Sequence, residues 1–232
     1  MDIANDTLKA MQKDFELLYE SNRTIDKIVE KALKGTATYK DVDRYAMEVG
    51  EIRETAILNH IGAVPIEEFD NIAEAILSPQ LKRNYELVCS VADRTQEALN
   101  RKSKLGLKAI KPDYNTDKAN GLIAKLKAVT SEEEAIAAIH QNVTTFTKGV
   151  VYDTMEANVD FHHGVGLSPV IKRIAFGQCC KWCEQMAGVY SYEGVKETGN
   201  DVYRFHANCR CYIIYDPQDG SRAVSTRTKR EI

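Results

Sequence analysis

No apolar run in this 232-residue chain approaches the roughly 20 residues needed to span a bilayer. The opening Met1-Asp2-Ile3-Ala4-Asn5-Asp6 is acidic and polar, without the apolar core of a signal peptide. Both absences point to synthesis and residence in a reducing cytoplasm, which favours thiolate–metal chemistry over a disulfide framework. Surplus positive charge is missing too. The net charge is −3, so no overall basic field draws the chain to nucleic acid, and any such contact needs a local patch. Catalytic signatures are also absent. There is no H-x-E with P-C-x-x-C of the zinc deaminases, no H-E-x-x-H, no phosphate-cradling G-x-x-x-x-G-K-[ST] and no G-x-S-x-G. The expectation is a protein that is not an enzyme.

What is present begins with ample core material: 44% hydrophobic and 28% charged residues specify a folded chain of one large or two small domains. Cysteine is concentrated. Of six cysteines, only Cys89 lies outside the window 179–211, and it reads as a small buried hydrophobe. The window holds Cys180-Lys181-Trp182-Cys183, then His206-Ala207-Asn208-Cys209-Arg210-Cys211. A C-x-x-C knuckle answered by H-x-x-C-x-C offers more than the four nitrogen and sulfur ligands of a tetrahedral zinc site. Cys180, Cys183, His206 and Cys209 give two knuckle-like spacings. Cys211 would share a strand face with Cys209, so either can supply the fourth ligand, with His206 then an outer hydrogen-bonding partner. Zinc is favoured over a disulfide or unliganded thiols, Cys179 stays outside the site, and Trp182 packs over it. Four such protein ligands close the coordination shell, which marks a structural rather than a catalytic ion.

The rest of the chain reads as helices. Residues 6–34 carry a heptad seam (Leu8, Met11, Phe15, Leu18, Asn22, Ile25, Val29, Ala32), with Asn22 at an a-type position. The plain reading is one helix packing on its own domain; the sharper one is self-association or docking onto a ring-shaped partner. Gly35 ends this helix, and Thr38 with Asp41 caps the next, whose inward face runs Val42, Tyr45, Val49, Ile52, Ala56 with His60 at its rim. Pro65 and Ser78-Pro79 each suggest a helix start. The second of these opens a face of Leu81, Tyr85, Val88, Ala92, Thr95 and Leu99. Arg101, Lys102, Lys104, Lys108 and Lys111 then form a basic run without acidic residues or aromatics. It reads as a solvated helix end or as a contact to packaged double-stranded DNA or an acidic partner. Pro112–Asp117 is a turn, Ala119, Leu122, Ile123 and Leu126 mark a short helix, and Ser131 with Glu134 caps one long helix reaching Phe161. His162 and His163 diverge on a loop and cap that helix rather than bind metal. Val170–Phe176, Val189–Tyr192 and Cys211–Tyr215 read as short strands of a module with little core of its own, so that metal binding would supply much of its folding free energy.

The order Gly166-Leu167-Ser168-Pro169-Val170-Ile171-Lys172-Arg173-Ile174-Ala175, Cys180-x-x-Cys183, Ala187-Gly188-Val189-Tyr190-Ser191-Tyr192 and Tyr203-Arg204-Phe205-His206-x-x-Cys209-Arg210-Cys211 resembles the C-terminal module of phage minor head proteins. These are the Mu F-like head morphogenesis proteins, and the resemblance covers roughly residues 145–216. It implies a low-copy structural protein of a tailed phage or prophage, made in the bacterial cytoplasm and carried in the virion. There it would sit in the head interior or portal region, touching portal or major capsid protein, acting in head assembly and entering the cell with the genome. Some longer members of that family append a toxin domain, and with only about twenty residues after Cys211 none is expected here. The alternatives are a zinc-containing adaptor and a DNA-binding zinc protein; against the latter, the window 177–216 holds few basic residues.

The expected architecture is mainly α, with an elongated helical N-terminal part and a small C-terminal α+β zinc-stabilised module. Residues 1–111 form the helical part that docks or oligomerises, 112–168 a helical connector, 169–216 the zinc module and 217–232 a flexible polar tail.

Overall fold

The computed structural model describes residues 2–140, 142–177, 179–206, 209 and 211–217. The tail expected over 217–232 lies outside these, apart from Pro217. The chain is mainly helical, with a small three-stranded sheet near its C-terminus. Its helices are α1 (Asp2–Glu20), α2 (Arg23–Leu33), α3 (Tyr39–Ile61), α4 (Phe69–Lys102), α5 (Thr116–Lys127), α6 (Glu132–Ile139) and α7 (Asn142–Gly164). Strand β1 (Val170–Ile174) follows, then α8 (Lys181–Met186), β2 (Gly188–Ser191), α9 (Tyr192–Glu197) and β3 (Tyr212–Asp216).

Local chemistry sets these boundaries, in three places against expectation. The single helix expected over 6–34 is two helices. Asn22 is not a seam residue but the N-cap of α2: its side-chain oxygen accepts from the backbone N–H groups of Thr24 (2.9 Å) and Ile25 (3.0 Å), and its amide donates to Glu48 (2.8 Å). A capping side chain offers the backbone an alternative to a continuing helix, so the chain turns there. The apolar seam is buried within the molecule, where Met11, Phe15, Ile25 and Ala32 join the core.

Ser78-Pro79 starts no helix, because α4 runs unbroken through Pro79. The buried face Ala73, Ile76, Leu77, Leu81, Tyr85, Val88 continues across the proline, and its packing outweighs one lost backbone bond.

The long helix expected from Ser131 is divided as well. Ser131 caps α6 as expected, with its side chain accepting from the Glu134 N–H (3.2 Å), but α6 stops at Ile139. The Asn142 amide donates to the Ala138 carbonyl (3.1 Å), and the Thr144 N–H donates to the Glu54 carboxylate of α3 (2.9 Å). An acid from another helix thus caps α7, where the helix dipole favours negative charge.

Thr38 and Asp41 do form a capping box on α3, and Gly35 takes the left-handed conformation (φ 68°) that ends α2. Helix α3 lies against α7 at close range. A Cβ added to Gly50 would come within 2.6 Å of the Thr144 backbone. Only glycine permits this approach.

The basic run leaves α4 and packs back as an irregular segment. Asn158 of α7 both accepts from the Ile110 N–H and donates to the Ile110 carbonyl (each 2.8 Å), as a neighbouring strand would. Arg101 pairs with Glu97 (3.8 Å) and Lys111 lies over the Tyr85 ring (5.0 Å), while Lys102, Lys104 and Lys108 are exposed.

The sheet is antiparallel in the order β2-β1-β3, with Ile171 opposite both Tyr190 and Tyr215. Ile213 and Tyr215 face inward from β3, and one hydrophobic core runs from Met11 to Tyr215. His162, expected on a loop, is fully buried in the last turn of α7 with its Nδ1 against the Tyr215 hydroxyl. His163 stacks on Tyr192 (centroids 3.8 Å apart). Cys89 is buried on α4, and His60 sits at the rim of α3, bonded to Asp14 (2.8 Å).

Candidate metal centre

The knuckle is built by a short helix. Cys180 is the N-cap of α8, its Sγ accepting from the Cys183 N–H at 3.5 Å, so both thiols of the C-x-x-C turn to one side. The second half arrives on the segment between Tyr203 and β3. His206 Nε2 lies 3.2 Å from Cys180 Sγ and 3.2 Å from Cys183 Sγ, and Cys209 Sγ lies 3.5 Å from Cys183 Sγ. Cys211, just ahead of β3, completes a second group with Cys183 and Cys209 whose sulfurs lie within 4.8 Å of one another. All five residues singled out by spacing therefore come together, with Cys183 common to both groups.

The donor set fits a metal ion. A tetrahedral ion with ligand bonds of about 2.0–2.3 Å keeps neighbouring donors about 3.4–3.8 Å apart, and the contacts here sit at or just under that range. Cys180 is exposed, while Cys183, Cys209 and Cys211 are buried. The Cys183 N–H and His206 bring the Cys180 thiol down to about 7. Burial, then the Cys209 thiol beside it, pushes Cys183 up to about 11, and burial also raises Cys209 and Cys211. Buried thiols with raised pKa values ionise when a cation takes the place of their protons, so this cluster can hold a metal. Trp182 meets His206 edge-on (6.3 Å) and packs against the thiols, as expected, and Cys179 also packs against the group.

Around the cluster stand residues to which sequence reading assigned no role. Arg173, on the central strand β1, is 2% exposed. Its Nη1 donates to the carbonyls of Val202 (2.6 Å) and Arg204 (2.7 Å), and its Nη2 lies 3.7 Å from Cys183 Sγ. Its guanidinium sits between the Trp182 ring (4.8 Å) and the Phe205 ring (4.5 Å). On the other side Lys148 of α7, 4% exposed, donates to the carbonyls of Cys209 and Cys211 (both 2.9 Å). Asp43 of α3 lies 3.4 Å from the Lys148 ammonium and also accepts from the Tyr152 hydroxyl. One sequence signal was available: Lys148 is a lone charge between the apolar Phe146 and the apolar pair Val150-Val151. Beside the cluster opens a cleft of about 1210 Å³, lined by residues including Lys40, Arg44, Met47, Phe176, Phe205 and Tyr212.

Fold and cluster together define a mainly helical protein with a thiol–imidazole cluster that can hold a metal ion, beside a small C-terminal sheet. Residues 38–227 match the VG15 protein family, and the chain belongs to this family of viral proteins. No curated protein and no solved structure matches it. No helix among the described residues is long and apolar enough to cross a membrane.

Proposed function

We propose that this protein is a structural minor head protein of a tailed phage or prophage, of the Mu F-like head morphogenesis type. In this reading it is associated with the portal or inner capsid, acts in head assembly and enters the cell with the genome. The observation that carries the reading is the viral-family match across 38–227, a span that includes both halves of the cysteine–histidine cluster. The ion is zinc and its role is structural, because four protein donors leave no open position for a substrate. Cys180, Cys183, His206 and Cys209 are its ligands, since an unbroken chain of donor contacts runs through them, and Cys211 is the adjacent thiol. Helical surfaces make the contacts to portal or capsid protein, and the exposed Lys102, Lys104 and Lys108 are the residues placed to touch DNA.

Quantitative mass spectrometry of purified particles, comparing empty procapsids with full heads, tests this directly. Low copy in both is expected. Loss during maturation would restrict the protein to assembly, and absence from both would leave the adaptor reading in its place.

A further inference from the structure

We infer that Arg173 and Lys148 form the outer shell of the metal centre, one buried cation fixing each half of the ligand set and offsetting its negative charge. The inference rests on the metal reading above. Three thiolates and an imidazole around a divalent ion leave a net charge of −1, and two of those thiolates, Cys183 and Cys209, are buried. Such a charge is costly unless paired or hydrogen-bonded.

Arg173 serves the knuckle half. None of the ion pairs among the described residues includes it, although it is 2% exposed. A buried guanidinium in that position needs an anion, and Nη2 points at Cys183 Sγ, 3.7 Å away. The same guanidinium holds the Val202 and Arg204 carbonyls and so fixes the segment that delivers His206. Lys148 serves the other half. It grips the carbonyls of Cys209 and Cys211 together, which fixes the backbone of both thiol-bearing residues. Asp43 and the Phe205 ring, 4.8 Å from its ammonium, hold Lys148 in place. The two cations approach from different elements, β1 and α7, so neither substitutes for the other.

The test uses the full chain, with zinc affinity measured by competition against a chromophoric chelator and the ligand set read from cobalt(II) thiolate absorption. Arg173→Met and Lys148→Met are each expected to weaken zinc by about 10- to 100-fold, the usual cost of losing an outer partner. Arg173→Lys, which keeps the charge, is expected to recover part of that loss. The double variant Asp43→Asn with Lys148→Met leaves no unpaired carboxylate and should match Lys148→Met. For a variant that folds only with metal, the zinc concentration at half-folding is the readout and should rise by the same factor. Affinity and cobalt spectrum within about twofold of the parent would overturn the inference and leave the metal reading standing. A parent chain that binds neither zinc nor cobalt would overturn both.

Discussion

At the residue scale, His162 shows what burial does to a titratable group. It is fully buried, Nδ1 faces the Tyr215 hydroxyl, and Nε2 has no partner. Burial lowers its pKa below the ordinary 6.5, so the unfolded chain binds a proton that the folded chain refuses. Its contribution is therefore present above about pH 6.5 and lost as pH falls below it. Urea midpoints at pH 7.5 and 5.5 should show a larger fall for the parent than for His162→Gln; equal falls would remove His162 from the account. Gly50 makes a steric claim. Gly50→Ala would force a methyl to 2.6 Å from the Thr144 backbone and should cost about 1–3 kcal/mol in denaturant unfolding. Neither constraint was legible in the sequence. His162 sits beside a second histidine that invites a loop reading, and nothing around Gly50 announces that α7 crosses there. The five candidate ligands were legible because metal geometry leaves a spacing rule in the chain. Arg173 and Lys148 act through backbone carbonyls, which leave none.

At the element scale, helix ends decided where reading succeeded. Thr38–Asp41 and Ser131–Glu134 are local caps, visible as pairs three residues apart, and both were recovered. Helix α7 takes its cap from Glu54, 90 positions earlier, and no local pattern could show it. Asn22 misled because its period matched the seam while its side chain was occupied with capping. Asn22→Ala should cost about 1 kcal/mol, read as a shift in the urea midpoint. A result near zero would mean that the turn at Ser21 holds without its cap. The segment after α4 depends on Asn158 in a similar way. Asn158→Leu removes both bonds to Ile110 and should speed tryptic cleavage at Lys108, whereas an unchanged cleavage rate would show that the Tyr85 hydroxyl bond to the Pro112 carbonyl (2.5 Å) suffices.

At the scale of the whole molecule, the sheet has an anchor besides the proposed metal. Ile171, Ile213 and Tyr215 belong to the same core as α3 and α7. A strand-only reading of residues 169–216 leaves out this support, because contacts between distant segments do not appear as periodicity. Cys180→Ser with Cys183→Ser, or a strong chelator, should therefore release the ion and change Trp182 fluorescence. Most of the far-ultraviolet helical signal should remain. Retention of metal by the double variant would refute the ligand assignment, and collapse of the helical signal would show that the core alone cannot hold the sheet.

The pairing of Tyr215 with the helical core also bears on synthesis. Its ring meets that of Tyr39, 176 positions earlier in the chain, at 6.4 Å. At about 5–20 residues per second, translation separates those two tyrosines by roughly 10–35 s. During that interval α3 and α7 emerge without the strand that covers them, and the knuckle emerges before the histidine that answers it. Closure of the molecule is thus timed by the ribosome, and nascent chains stalled before residue 211 would expose on α3 and α7 the surface that a chaperone recognises.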